Sequence, residues 1–69
     1  MDHDDIRRAL DRLGLTPTTA GKLFRHSRRA VERWCYGERR PPQGIVILLH
    51  LMLAKKITAR DIEIAAAKI

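Results

Sequence analysis

Apolar residues fall into five short stretches, each repeating at helical spacing and each bounded by glycine, proline or a capping side chain. In the first, Ile6, Ala9, Leu10 and Leu13 stand at i, i+3, i+4 and i+7, one stripe of a helix. This predicts a helix from His3 to Leu13, capped by Asp2, with Asp4 and Asp5 at its positive end and Gly14 just past its last turn. A second helix is expected from Pro17 to Phe24, with Thr16 as cap and Pro17 in the first helical position. Ala20, Leu23 and Phe24 face inward. Gly21, in the middle, costs about 1 kcal/mol against Ala and implies that another helix crosses closely.

The third stretch predicts a helix from Arg28 to Tyr36, capped by Ser27 and ended by Gly37. Val31 and Trp34 lie on one side, flanked by Ala30 and Cys35; Arg29, Glu32, Arg33 and Tyr36 lie on the other, with Arg28 at its edge. Only Arg25 and His26 separate Phe24 from Ser27. So short a link forces two helices into a tight corner, a helix-turn-helix unit over residues 16–37.

In the fourth stretch, the β-branched Ile45, Val46 and Ile47 are compatible with a buried strand. The length of the run, the prolines before it and the lack of a strand to pair with favour a helix from Gln43 to Ala54. Ile45, Leu48, Leu49 and Met52 form one face and leave Val46, Ile47 and Leu53 outside it. A helix apolar nearly all round should be covered on both sides. The fifth helix is expected from Ala59 to Lys68, opened by a Thr58–Asp61 capping box, with Ile62, Ala65, Ala66 and Ile69 on its core face and Ile64 off it. The fold class is therefore all-α.

Composition narrows the picture. A chain of 69 residues with 45% hydrophobic side chains suits one domain, residues 1–69. Its core is marginal, since a domain near this size buries only about 60% of its unfolded surface. The single cysteine, Cys35, forms no intramolecular disulfide and suits a reducing compartment. The opening Met1-Asp2-His3-Asp4-Asp5 is acidic where a secretory signal is basic. The longest apolar run, Ile45 to Leu53, is interrupted by His50 and falls short of the roughly 18 residues of a membrane span. A cytoplasmic protein that does not enter a membrane is expected. His3, His26, His50 and Cys35 show no metal-ligand spacing, and no Ser–His–acid set, glycine-rich phosphate loop or carboxylate cluster appears. Neither an enzyme nor a metal or other cofactor is expected.

The net charge of +6 is unevenly placed. Residues 1–15 carry three basic and four acidic side chains. Residues 16–40 carry seven basic (Lys22, Arg25, Arg28, Arg29, Arg33, Arg39, Arg40) and two acidic (Glu32, Glu38), a net of +5. Residues 41–69 carry four and two. A polyanion would bind the middle of the chain. Arg dominates there, and its fork grips phosphates and guanine edges with paired hydrogen bonds.

Residues 15–41 combine a Leu15-Thr16 opening, the small Gly21 midway in the second helix, the Ser27 cap, Val31 and Trp34 three apart, Gly37 three later, and Arg39-Arg40 before Pro41. This resembles the Cro and phage-repressor type of helix-turn-helix domain, the xenobiotic-response-element family. With the first, fourth and fifth helices in the expected places, the likeness covers nearly the whole chain and implies a five-helix lambda-repressor-like bundle. Two positions depart from the family. It carries Gly and an aliphatic residue at the turn, where this chain has Arg25 and His26; a left-handed Arg25 costs about 1–2 kcal/mol over Gly. Many relatives open the second helix with Gln-Glu or Gln-Ala, where this chain has Pro17-Thr18, which excludes a side-chain amide contact at Pro17.

The resemblance implies that the third helix enters the major groove of double-stranded DNA by its N-terminal half. Arg28, Arg29 and Arg33 then hold base-reading positions, and Glu32 is placed to accept from a cytosine amine or else to pair with a neighbouring Arg. Thr16 and Thr18, at the positive end of the second helix, suit phosphate, as do Lys22, Tyr36, Arg39 and Arg40. His26 in the turn also lies within reach of phosphate, and Trp34 belongs to the core opposite Gly21. The function implied is a sequence-specific transcription regulator, a repressor that binds an inverted repeat as a homodimer. Autoregulation of a small phage or mobile-element operon, for example an anti-CRISPR-associated one, is one setting. Val46, Ile47, Leu53 and Ile64 are the candidate dimer surface; the alternative is an antitoxin or adaptor whose fourth and fifth helices grip a protein partner. Binding of RNA by charge alone is less well supported, since paired aromatics for base stacking are missing.

Overall fold

Side-chain caps decide where four of the five helices begin. The computed structural model describes residues 1–68 and contains α1 (His3–Arg12), α2 (Pro17–Phe24), α3 (Arg28–Cys35), α4 (Gln43–Leu53) and α5 (Ala59–Ala67), with no strand among the described residues. Asp2 and Asp5 cap α1 reciprocally, Thr16 and Thr19 cap α2, Thr58 and Asp61 cap α5, and the Ser27 hydroxyl accepts from the Ala30 amide at the head of α3. Each such cap stabilises by about 1 kcal/mol. The head of α4 has no side-chain cap and follows Pro41 and Pro42, whose fixed φ leads the chain into the helix. The terminal residues expected in four helices (Leu13, Tyr36, Ala54 and Lys68) are end caps rather than helical residues.

The core gathers one stripe from each of the first four helices: Ile6 and Leu10, then Ala20, Leu23 and Phe24, then Val31, Trp34 and Cys35, then Ile45, Leu49 and Met52. α3 packs on α2 and α1, α1 also packs on α4, and α5 leans on α2. Leu48, Ile57, Ala59 and Ile62 close the edges of this core.

Three sequence-based expectations are corrected here. First, α4 is not covered on both sides: Ile47 is 51% exposed and Leu51 is also exposed, while Val46 and Leu53 are half-buried. Second, α5 buries none of its residues; Ile62 and Ala66 are half-buried, Ala65 is exposed, and Ile69 lies outside the described residues. The common reason is size, because a chain this short has too few elements to cover every apolar face. Third, what approaches Gly21 is not a helix crossing at mid-length. A Cβ there would stand 2.6 Å from the His26 carbonyl oxygen and 3.3 Å from the Arg28 nitrogen, so the turn itself and the first residue of α3 fill the space. None of the described helices is long and apolar enough to cross a membrane.

Candidate nucleic-acid interface

The joint between α2 and α3 sets where the arginines point. Arg25 ends α2 in the left-handed region, φ 62° and ψ 40°, and its amide, like that of His26, donates to the Gly21 carbonyl. Arg25 thus adopts the conformation that glycine holds easily, at a cost of about 1–2 kcal/mol. The next residue offsets part of this. The His26 ring meets the Trp34 ring edge-on, with centroids 5.0 Å apart and planes at 70°, an arrangement contributing about 0.5–1.5 kcal/mol. The His26 ring covers Trp34, which is only 4% exposed, while His26 itself remains exposed.

With Val31, Trp34 and Cys35 held inward, α3 turns its other side to solvent. Arg28, Arg29 and Tyr36 are exposed, and Glu32 and Arg33 are half-buried along the same helix. Arg28 Nε donates to Glu32 Oε1 at 3.1 Å. Both carboxylate and guanidinium reach solvent, so the pair itself contributes little to stability.

The first turn of α3 is charged opposite to what a helix prefers, although Arg33 in its last turn is favourably placed. α1 has Asp4 and Asp5 in its first turn and Arg12 in its last, and α5 has Asp61 in its first turn. α3 begins with Arg28 and Arg29 and has no acidic residue in its first turn. Cations at the positive end of a helix are disfavoured by about 0.3–1 kcal/mol each. A polyanion laid against that end would relieve the cost.

The other candidates are distributed around this face. Thr16 Oγ1 accepts from the Thr19 amide at 3.1 Å, and Thr19 Oγ1 accepts from the Thr16 amide at 2.8 Å, so Thr16 is engaged as a cap while Thr18 is exposed. Lys22 lines an open cleft of about 490 Å³ between α2 and α5, together with Arg25 and Glu63. After α3, Gly37 takes φ +77°, and the Glu38 and Arg39 amides both return to the Arg33 carbonyl, at 3.0 and 3.3 Å. The His3 ring sits on Gly37, its Nδ1 3.0 Å from where a Cβ would be. This folds the loop back and leaves Arg39 and Arg40 exposed, on one wall of a second cleft of about 630 Å³ that also takes in Trp34, Val46, Ile47 and His50.

Two groups have perturbed acidities. Burial within the core pushes the Cys35 thiol up. The hydrogen bond from Arg7 holds the Asp4 carboxyl below its ordinary value. Thr19, His3 and the His26–Trp34 contact were not foreseen from the sequence. A threonine three residues past a capping threonine was the one readable signal for Thr19; the others depend on residues distant in the chain. Compared with protein-family models, curated proteins and solved structures, the chain matches none.

Proposed function

We propose that this protein is a sequence-specific, double-stranded-DNA-binding transcription regulator of the Cro and phage-repressor type, its helices forming a lambda-repressor-like bundle. α2 and α3 are the helix-turn-helix, and α3 is the helix that enters the major groove. The observation that carries this reading is the outward face of α3: Arg28 and Arg29 stand exposed at the helix's own positive end, with Arg33 one turn on. An arrangement that opposes local stability is understandable where a bound polyanion supplies the missing negative charge.

Arg28, Arg29 and Arg33 read base edges, while Thr16, Thr18, Lys22, Tyr36, Arg39 and Arg40 hold phosphates. The protein acts as a cytoplasmic repressor that binds an inverted repeat as a homodimer, with half-sites about 34 Å apart. It suits autoregulation in a compact phage or mobile-element operon. The exposed Ile47 and Ile64, with the half-buried Val46 and Leu53, are the surface available to a second copy. The same exposure favours, as a second reading, an adaptor or antitoxin whose α4 and α5 hold a protein partner. Sedimentation separates the two, since a monomer at tens of micromolar would argue against self-association.

The test is a mobility shift on DNA from upstream of the protein's own gene, with footprinting to measure half-site spacing. Arg33→Ala should lose about 1–3 kcal/mol on the preferred site and relax the choice at one base pair. Lys22→Ala should weaken all sequences alike and shallow the salt slope by about one unit. Equal binding to promoter and shuffled fragments would end the reading.

A further inference from the structure

We infer that Glu32 does not read a base but positions Arg28, and that the pair selects a guanine beneath the head of α3. This rests on the DNA-binding reading and assigns a substrate feature to one part of that surface.

The Glu32 carboxylate takes the Arg28 Nε–H at 3.1 Å. That contact uses the inner edge of the guanidinium. Among the described residues no protein acceptor takes the two terminal amino groups, and the Arg28 side chain is 68% exposed against 34% for Glu32. An arginine held by Nε presents its terminal fork outward in a fixed plane. Two parallel N–H donors match guanine O6 and N7, the acceptor pair of the major groove.

Helix stability is a weak account of the pair. Across i, i+4 the favourable order places the acid toward the N-terminus and the base after it, in keeping with the dipole. Here Arg28 comes first and Glu32 second, the less favourable order. Of the two Glu32 oxygens, Oε1 is turned back to Arg28, so a cytosine amine would have to share the carboxylate with the contact that holds Arg28. The geometry fits an orienting role. An unrestrained arginine loses more rotamer freedom on docking than one already held.

A randomised duplex library, selected in parallel by the native chain and by Glu32→Ala, Glu32→Gln and Arg28→Ala, tests this, with helical circular dichroism as the folding control. The native chain should enrich a site with one guanine that Arg28→Ala no longer requires. Glu32→Ala should lower discrimination at that same guanine by about tenfold while binding to shuffled duplex holds or strengthens, since a negative charge has gone. Glu32→Gln, which keeps an acceptor oxygen, should recover part of the discrimination. If Glu32→Ala instead abolishes a preference for cytosine at a neighbouring position, or leaves the guanine preference intact, the inference is overturned and the DNA reading stands. If the native chain enriches nothing, the DNA reading itself fails and takes the inference with it.

Discussion

α3 and α4 each bury one stripe of three residues in the same core, yet they turn opposite surfaces outward. α3 presents Arg28, Arg29, Arg33 and Tyr36, and α4 presents Ile47 and Leu51, one helical turn apart. Water solvates the first surface readily and the second poorly. The α3 face is therefore stable when free and needs a partner only to explain its charge order. The α4 face has no such local defence, and covering it would itself stabilise. In this small molecule, a charged surface and an apolar surface lie on neighbouring helices of one core, and the proposed contacts with a polyanion and with a second protein surface rest on that difference.

The contrast can be broken most sharply from inside. Trp34→Ala removes the side chain that holds α3 inward, and the expected loss is about 3–5 kcal/mol. Proteins have only about 0.05–0.15 kcal/mol of stability per residue, so thermal unfolding should show a collapsed or missing transition. The joint offers the next largest change. Arg25→Gly removes the left-handed strain and should raise stability by about 1–2 kcal/mol, read as a higher melting temperature. If the His26–Trp34 contact depends on Arg25, the gain will be smaller.

Arg29→Glu tests the outward face of α3 directly. It replaces a disfavoured cation at the positive end with a favoured anion, each worth about 0.3–1 kcal/mol at low salt, so stability should rise while the proposed DNA binding falls. A fall in stability would show that the cationic first turn carries no local cost and would remove the argument from charge order. Ile47→Lys tests the outward face of α4 with the smallest effect on the fold, within about 0.5 kcal/mol. If this face joins two copies as proposed, sedimentation should nonetheless show a shift toward monomer. An unchanged dimer would move the subunit contact elsewhere.

Much of this was legible in the chain. The five stripes, the caps at Asp2, Thr16, Ser27 and Thr58, and the polar side of α3 all follow from a 3.6-residue period and from hydrogen bonds reaching three residues. The arginine cluster was visible for the same reason, since residues on one helix face are set by spacing alone. Glycines after α1 and α3 announced their left-handed ends; Arg25 and Lys55, with φ of 62° and 60°, did the same work without that signal.

Sequence by itself therefore determined where helices form and which of their sides carry charge, because both are local properties of a dozen residues or fewer. Only the tertiary structure decided that His26 lies against Trp34, that the turn fills the space over Gly21, and that Ile47 is left in water while Leu49, two residues on, is buried. Those outcomes depend on how apolar stripes from distant segments pack against one another. In a chain with more apolar surface than it can cover, packing between distant segments chooses what remains outside.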